Sequence, residues 1–270
     1  MKYQLAKLFL GLRRCFWPRN NGLRIAIFHD ISEDMEESFE KFLIEVSKRW
    51  GFVSPLEVEY YLKGKAKGSP VLITFDDGFK GNFKVACEIL SKYNIKALFF
   101  VCPSLIEMDI ESQHKYISSN VFQNKKKADN LSVMNWEELR ILQDNGHVIG
   151  SHTLNHLNLA SLGDDHIEKE ITGSKQAIYN NLGVEPKWFA FPFGEIKHIN
   201  LNSLKVISSY YTYCRSGIRG VNNAGNSKLG LFAQHIELSA PLAYQMLALE
   251  GGLDFRYTKA RQELQGFLPL

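Results

Sequence analysis

Two histidines have a spacing that would allow them to bind one metal ion together. His152 and His156 are four residues apart in SHTLNH, so a helical turn would point both imidazoles in the same direction. Such a pair can share one metal ion, although one buried and one solvent-facing histidine would show the same spacing. An aspartate from another strand end would complete a two-histidine, one-carboxylate set with open positions for water and substrate.

Asp76 and Asp77 are the aspartates that could complete this set. They follow an apolar run in LITFDDGFKGNF, residues 72–83, and strands are poor in aspartate. Two carboxylates beside one cation can divide the work, because one can bind the metal while the other accepts a proton from water. They converge only if the strand ends there, and Gly78 permits such a turn. The alternative is an ordinary exposed turn.

The elements that must position these residues alternate between short apolar runs and longer amphipathic segments. This order predicts parallel strands joined by helices, and seven strands fit a barrel or an incomplete one. Polar residues stand where strands should end, at His29, at the aspartates and at His152, and the turn-forming sequence Pro-Phe-Gly ends a further strand at 192–194. The predicted strands are 24–29, 71–76, 97–102, 147–152, 188–193, 210–214 and 231–238, and the predicted helices are 36–49, 81–93, 135–145, 164–182 and 240–249.

Length and composition favour one α/β domain. The chain has 270 residues, of which 45% are hydrophobic, and no linker divides it. We expect a single barrel over 23–270, with a polar insertion or loop at 105–134 that is the least ordered stretch. The net charge of +3 is spread along the chain, which argues against a nucleic-acid partner. Four cysteines without paired spacing, and the lack of a recognisable secretion signal, predict a cytoplasmic protein.

Residues 1–22 form a basic amphipathic segment ahead of that domain. One helical face of residues 3–16 carries the large apolar side chains, Leu5, Leu8, Phe9, Leu12 and Phe16. Lys7, Arg13 and Arg14 lie away from that face. Such a helix could lie on an anionic membrane surface, at the inner face of the membrane, or it could pack against the domain.

Together these segments resemble the polysaccharide deacetylase family, also called the NodB-homology domain or carbohydrate esterase family 4. The resemblance covers roughly residues 24–238. It is carried by TFDDG at 74–78, by GHVIG followed by SHTLNH at 146–156, and by FAFPFG at 189–194. The first two motifs, in this order and at this separation, are the most specific.

The resemblance implies a distorted, incomplete (β/α) barrel of about seven parallel strands that holds one divalent metal ion. Zinc is the usual ion, and nickel, cobalt, iron or manganese are possible. In that family pattern Asp77, His152 and His156 are the metal ligands, and Asp76 is the general base. The backbone N–H of Phe193 would stabilise the oxyanion. The implied reaction removes an N-acetyl group from an amino sugar of a polysaccharide or glycolipid, by attack of metal-activated water.

The third motif departs from the family pattern. Many members have an arginine that orients the catalytic aspartate where this chain has Ala190. Arg215 and Arg219 are possible substitutes, or they are surface charges. The aromatic residue before the proline resembles the branch that acts on poly-N-acetylglucosamine. In that branch the histidine motif lies near the N-terminus, so IFHDI at 27–31 makes His29 the candidate general acid, with a structural histidine as the alternative.

Two other functions are compatible with the sequence. The same metal centre could release another small acyl group, such as a formyl group, from a lipid-linked amino sugar. The chain could instead be a catalytically silent carbohydrate-binding member of the same fold. A pure binding site does not need an unligated base beside its metal, so the presence of Asp76 argues against the second alternative.

Overall fold

The computed structural model describes residue 3 and residues 5–16 and 22–268, and its centre is one sheet of seven parallel strands. The order across the sheet is β6-β5-β4-β3-β2-β1-β7, so successive strands from β1 to β6 are neighbours. The strands are β1 (Arg24–Phe28), β2 (Val71–Phe75), β3 (Leu98–Val101), β4 (Val148–Ser151), β5 (Trp188–Ala190), β6 (Tyr213–Arg215) and β7 (Gln234–His235).

The sheet curls into a distorted, incomplete barrel. β7 pairs with β1 at Ala26 and Ile27, while Leu231, three residues before β7, forms a bridge with Arg215 of β6. Residues 231–235 therefore lie between β1 and β6 and connect the two ends of the curled sheet. The predicted fold class is confirmed. The strand predicted at 231–238 is wrong in length, because only Gln234 and His235 make ladder pairs.

Eleven α-helices surround the strands in the described part of the chain. Local signals explain several ends: Asn135 and Glu138 form a capping box at α7, and Gly183 ends α8 with a φ of 72°. The helices are α1 (Ala6–Phe16), α2 (Glu33–Ser47), α3 (Val58–Leu62), α4 (Gly81–Val85), α5 (Pro103–Ile106), α6 (Ile110–Tyr116), α7 (Trp136–Asp144), α8 (Asp164–Leu182), α9 (Leu201–Tyr210), α10 (Leu242–Leu249) and α11 (Thr258–Phe267).

Two segments are more helical than the sequence predicted. The insertion at 105–134 contains α6, and the buried Gln113 amide donates to the carbonyls of Leu105 and Met108. The strand predicted from residue 210 begins at Tyr213, because Tyr210 belongs to α9. A run of tyrosines favours a strand by propensity, but the capping box at Asn200 and the packing of α9 on α8 decide for a helix.

Alternation of side chains divides the core into an inner and an outer layer. Ile25, Leu72 and Phe100 point into the barrel and pack together. Phe28 and Phe75 point outward with Phe99 and pack beneath α2. The rings of Phe75 and Phe99 stack with their centroids 4.8 Å apart. Because both faces of every strand are covered, the ladder groups are kept from water, as parallel sheets require.

His147 is a structural histidine just before β4. It is buried, and its Nδ1 accepts a hydrogen bond from the backbone N–H of Ala97 at 3.0 Å. Burial, with a smaller effect of Lys96, lowers the pKa of His147 from 6.5 to about 4. The fold therefore favours the neutral ring, whereas the unfolded chain protonates near pH 6.5.

We expect this pKa difference to destabilise the protein as the pH falls from about 6.5 to 4, by on the order of 3 kcal/mol. The His147→Asn variant keeps a side-chain acceptor for Ala97 but cannot titrate. Urea unfolding at pH 7 and at pH 4.5 should show a smaller loss of unfolding free energy in the variant than in the parent. Equal losses in the two proteins would contradict this account.

Candidate active site

The period of two along each strand brings the polar residues together at one end of the barrel. Ile27 of β1 points inward, so His29 follows on the same side. Asp76 follows Leu72 and Thr74, and His152 follows Gly150, in the same way. Arg215 is the last residue of β6, two residues after the inward-pointing Tyr213, so its side chain points inward as well. They line one cleft of about 320 Å³ at the carboxyl ends of the strands.

Four non-glycine residues around this cleft have left-handed backbone. Asp77, Thr153, His156 and Phe193 have φ values of 70°, 67°, 53° and 63°. This conformation is unfavourable for residues with a β-carbon, and it persists where surrounding structure enforces it, often at functional sites. For Asp77 it turns the side chain of the residue after Asp76 back into the cleft. The sequence prediction that both aspartates reach one site therefore holds geometrically.

Asp77, His152 and His156 form a buried cluster whose potential ligand atoms all lie within 4.8 Å of one another. The Nε2 atom of His156 is 3.2 Å from Oδ1 of Asp77, and that of His152 is 3.6 Å from it. The Nδ1 atom of His152 is 2.7 Å from the carbonyl oxygen of Ala190, which leaves Nε2 for the cluster.

The cluster fits a divalent cation. Both carboxylate oxygens of Asp77 are buried without a conventional hydrogen bond from the described part of the chain, which is costly unless a charge compensates them. One carboxylate and two imidazoles are a donor set that suits zinc and similar ions. A carbonyl bonded to the far nitrogen of a histidine ligand is a common way to fix its orientation.

Electrostatics favour the protonation states that a ligand set needs. Burial opposes the ionised form of Asp77, but the imidazoles of His156, His29 and His152 hold the pKa of its carboxyl well below the usual range. Burial lowers the pKa of His152 from 6.5 to about 4, against the opposing charge of Asp76. These shifts favour a neutral His152 imidazole beside an ionised Asp77 carboxylate at pH 7, and both groups can donate lone pairs to a cation.

Glu170 of α8 supports the loop that carries the histidines. It is buried, and its carboxylate accepts hydrogen bonds from the backbone N–H and the side-chain amide of Asn155. Its backbone carbonyl accepts the N–H of Leu154. Sequence reasoning missed Glu170, although it falls on the buried stripe of α8 with Ile167 and Ile171, where an acid is out of place.

A buried ion pair joins Asp76 to Arg215. The Nη2 atom of Arg215 donates to both carboxylate oxygens of Asp76, at 2.5 and 2.7 Å, and both residues are buried. Arg215 of β6 is the direct ladder partner of Ala190 in β5. The guanidinium therefore comes from the strand beside the position where the family arginine is missing. Of the two predicted substitutes, only Arg215 contacts Asp76, since Arg219 donates to Gln234 and to the carbonyl of His235.

The remaining predicted residues line the same cleft. The side chain of His29 is exposed, and its ring lies 5.3 Å from that of His235. The ring of Phe193 packs edge-on against His156, with centroids 4.8 Å apart. Thr153 lies between the two histidines. Its Oγ1 is buried without a hydrogen-bond partner in the described part of the chain, so its hydroxyl does not brace the histidine loop.

The turn that holds Phe193 depends on a close approach of two glycines. Gly194 has a φ of 65°, and a β-carbon built on it would lie 2.6 Å from the backbone nitrogen of Gly217. The carbonyl of Gly194 accepts the N–H of Gly217 at 2.9 Å. The loops after β5 and β6 are thus joined directly beneath the cleft. FAFPFG and CRSGIRG therefore act as one structural unit, which the sequence alone did not indicate.

Comparisons with known proteins point to one family. The family model described as "Polysaccharide deacetylase" matches residues 63–210, a range that contains both aspartates and both cluster histidines. YxkH of Bacillus subtilis (strain 168), whose name places it among the polysaccharide deacetylases, is 26% identical over 221 residues, which are 79% of this chain and 70% of that protein. A peptidoglycan-N-acetylglucosamine deacetylase of Bacillus cereus is 28% identical over 138 residues, which are 51% of this chain but only 41% of that enzyme.

Solved structures share the fold. The deacetylase PplD of Streptococcus pyogenes superposes with a TM-score of 0.68 at 22% identity, covering 84% of this chain and 98% of PplD. IcaB from Ammonifex degensii gives 0.65 at 20% identity, with 84% and 98% covered. His29, Arg215 and His235 fall outside the segment that the family model matches. The match nevertheless spans more than half of the sequence, and the chain belongs to the polysaccharide deacetylase family.

Proposed function

We propose that this chain is a metal-dependent hydrolase that removes the N-acetyl group from an amino sugar of a polysaccharide or glycolipid. The observation that carries the proposal is the separation of the two aspartates. Asp77 belongs to the buried cluster with the histidines, whereas Asp76 is held by Arg215 in the same cleft. A metal-dependent hydrolase of this kind needs both a cation site and a separate base, whereas a metal-containing binding module needs only the first.

Asp77, His152 and His156 would hold the ion, with zinc as the expected species and nickel, cobalt, iron or manganese as alternatives. When bound, a divalent cation would supply Lewis acidity to the acyl oxygen and lower the pKa of nearby water. The neutral imidazole of His152 and the ionised carboxylate of Asp77 are already in the protonation states that such an ion requires.

Asp76 is the proposed general base. It accepts a proton from the water molecule whose oxygen forms a bond to the acyl carbon. The Nη2 atom of Arg215 contacts both oxygens of the carboxylate, so the group is held in one orientation while further lone pairs stay open to water. Arg215 in turn is fixed by β6 and by the ring of Phe100, which lies 4.9 Å from the guanidinium carbon.

Phe193 and His29 complete the proposed reaction. As water attacks, negative charge develops on the acyl oxygen, and the donor to that oxygen in this proposal is the backbone N–H of Phe193, a residue with a φ of 63° that lines the cleft. The C–N bond then breaks, and the departing amine nitrogen needs a proton. His29, exposed in the cleft, supplies that proton, so that the products are a carboxylate and a free amino sugar.

The proposed function is tested by incubating the protein, loaded with zinc, with N-acetylated and N-formylated glycans, each with and without a lipid carrier. Release of acetate from an N-acetyl glycan is the expected result. Release of formate alone would favour the deformylase alternative. Binding of glycans without release of either acid would identify a silent carbohydrate-binding member of the fold.

The division of labour between the two aspartates gives a second expectation. Asp77→Ala and His156→Ala should lose the bound ion, because each removes a donor from the cluster. Asp76→Asn should keep the ion and lose on the order of 10²–10⁴ in kcat. Elemental analysis beside the acetate assay separates the two outcomes, and full metal occupancy in Asp77→Ala or His156→Ala would disprove the ligand assignment.

Arg215 should matter for turnover more than for metal binding. Arg215→Lys keeps a positive charge, but its shorter side chain loses the planar guanidinium that packs over Phe100 and fixes the donor beside Asp76, so we expect kcat/KM to fall roughly 10²-fold with metal content unchanged. Arg219→Lys is the matched control, because Arg219 lines the same cleft without contacting Asp76. Similar losses in the two variants would remove the special role of Arg215.

His29 should be needed for the amide and much less for an activated ester. His29→Ala should depress amide hydrolysis by on the order of 10²–10⁴ while leaving hydrolysis of an aryl acetate far less affected, because an aryl oxide leaves without a proton. Equal losses on both substrates with metal retained would indicate a structural role. No loss on either substrate would exclude His29 from the reaction.

A further inference from the structure

Large apolar side chains lie exposed on one side of the barrel, far along the chain from the catalytic motifs. Phe9 of α1 is 51% exposed, and Phe255, in the turn before α11, is 70% exposed. We call this surface the α1 patch. Its members are Leu5, Leu8, Phe9, Leu12 and Phe255. A patch of this kind on a soluble domain indicates a surface that binds a partner or a lipid.

The α1 patch stays exposed although α1 is firmly attached to the barrel. Ala6 and Leu10 are buried, and α1 packs along α10. At its other end Arg13 donates to the backbone carbonyl of Glu250, and Arg14 forms an ion pair with the Glu250 carboxylate at 2.7 Å. The helix therefore docks through Ala6, Leu10 and its two arginines. Glu250 therefore engages both arginines, and they do not lie free for lipid headgroups.

A groove runs beside the patch between α1 and the turn at 251–256. Its volume is about 850 Å³, larger than the catalytic cleft, and Phe9, Leu12, Leu247 and Leu253 are among its apolar walls. The volume and the lining suit hydrocarbon rather than a polar ligand. Sequence reasoning placed only α1 in this surface. The contribution of the turn before α11 comes from the tertiary structure.

Two exposed basic side chains, those of Lys7 and Arg256, belong to the segments that form the patch. Residues 5–16 contain no aspartate or glutamate, and Lys7 of α1 is exposed. On the opposite wall of the groove the exposed Arg256 has its guanidinium carbon 5.5 Å from the centre of the Phe255 ring. An apolar face edged by cations matches a bilayer surface that contains anionic lipid. We propose that the α1 patch seats this protein on an anionic membrane surface, with lipid chains entering the groove.

A second copy of the chain is a poorer occupant than lipid. Two-fold pairing would place the same patch on both partners and bring Lys7 and Arg256 of one copy near those of the other. Like charges at such a rim oppose association, whereas anionic headgroups compensate them. A spanning arrangement has no support, since no helix within the described residues is both long and apolar enough to cross a bilayer.

The position of the patch relates it to the catalytic cleft. Tyr3, just before α1, donates to the carboxylate of Glu237, which lines a cavity that also contains His29. The other end of α1 contacts Glu250, which interacts with Arg24 at the start of β1. The patch thus runs along the side of the barrel, and the mouth of the cleft opens at one end of it. A protein seated through this patch would present its cleft to glycans that project from the same membrane.

Vesicle co-sedimentation tests the proposal on the full chain. We expect the protein to sediment with vesicles made of equal parts of phosphatidylcholine and phosphatidylglycerol, and roughly tenfold less with phosphatidylcholine alone. The double variant Phe9→Glu, Leu12→Glu should reduce binding to the mixed vesicles at least tenfold. Lys7→Glu combined with Arg256→Glu should remove the preference for phosphatidylglycerol.

Val184→Glu is the matched control, since Val184 is 56% exposed and follows α8, on the far side of the sheet from α1. It should bind vesicles like the parent. Release of acyl groups from a soluble glycan should be unchanged in every variant, which separates a failure of this proposal from a failure of the proposed function. Equal sedimentation of parent and double variant would overturn the proposal. Concentration-dependent dimerisation without vesicle binding would overturn it in favour of a second copy.

Discussion

The alternation of side chains along parallel strands is the constraint on which the rest of this structure depends. In each strand every second residue faces the barrel axis, and the last inward position of several strands is polar. Asp76, His152 and Arg215 therefore meet without any special loop. Because these polar and charged groups are buried, each must have a compensating neighbour in the cleft. The ion pair of Asp76 with Arg215 and the cluster around Asp77 are the two ways in which this requirement is met.

Alternation alone cannot bring two consecutive aspartates to one place, and the backbone at Asp77 solves that problem at a cost. A left-handed conformation at a non-glycine residue is unfavourable by roughly 1–3 kcal/mol. The fold accepts that cost at Asp77, His156 and Phe193, which line the cleft, and at Thr153, which follows His152. Left-handed residues of this kind often occur at functional sites, where the surrounding structure enforces them.

Much of the barrel could be predicted from the sequence, because buried parallel strands read as short apolar runs between amphipathic helices. The predicted helix at 164–182 matches α8 at both ends, where Gly183 gives a clear stop. The failures have a common cause. α9 includes Tyr210, and β6 begins only at Tyr213. These boundaries, and the short length of β7, depend on packing partners that are distant in the chain. The contacts of Glu170 with Asn155, and the contact of Gly194 with Gly217, could not be predicted for the same reason.

Arg215 contacts Asp76 although the third motif lacks its arginine, so a neighbouring strand of the barrel can supply the same chemical group. Ala190 and Arg215 are ladder partners, and neighbouring strands are ~4.8 Å apart. An arginine side chain is longer than that spacing, so a guanidinium rooted on β6 can reach the carboxylate that one rooted on β5 would reach. The small side chain of Ala190 leaves the space that Arg215 needs beside Phe100. The sequence motif alone therefore shows only that the arginine is absent at residue 190. The contact between a guanidinium and Asp76 is still present, because Arg215 on the neighbouring strand lies beside Ala190 in the sheet.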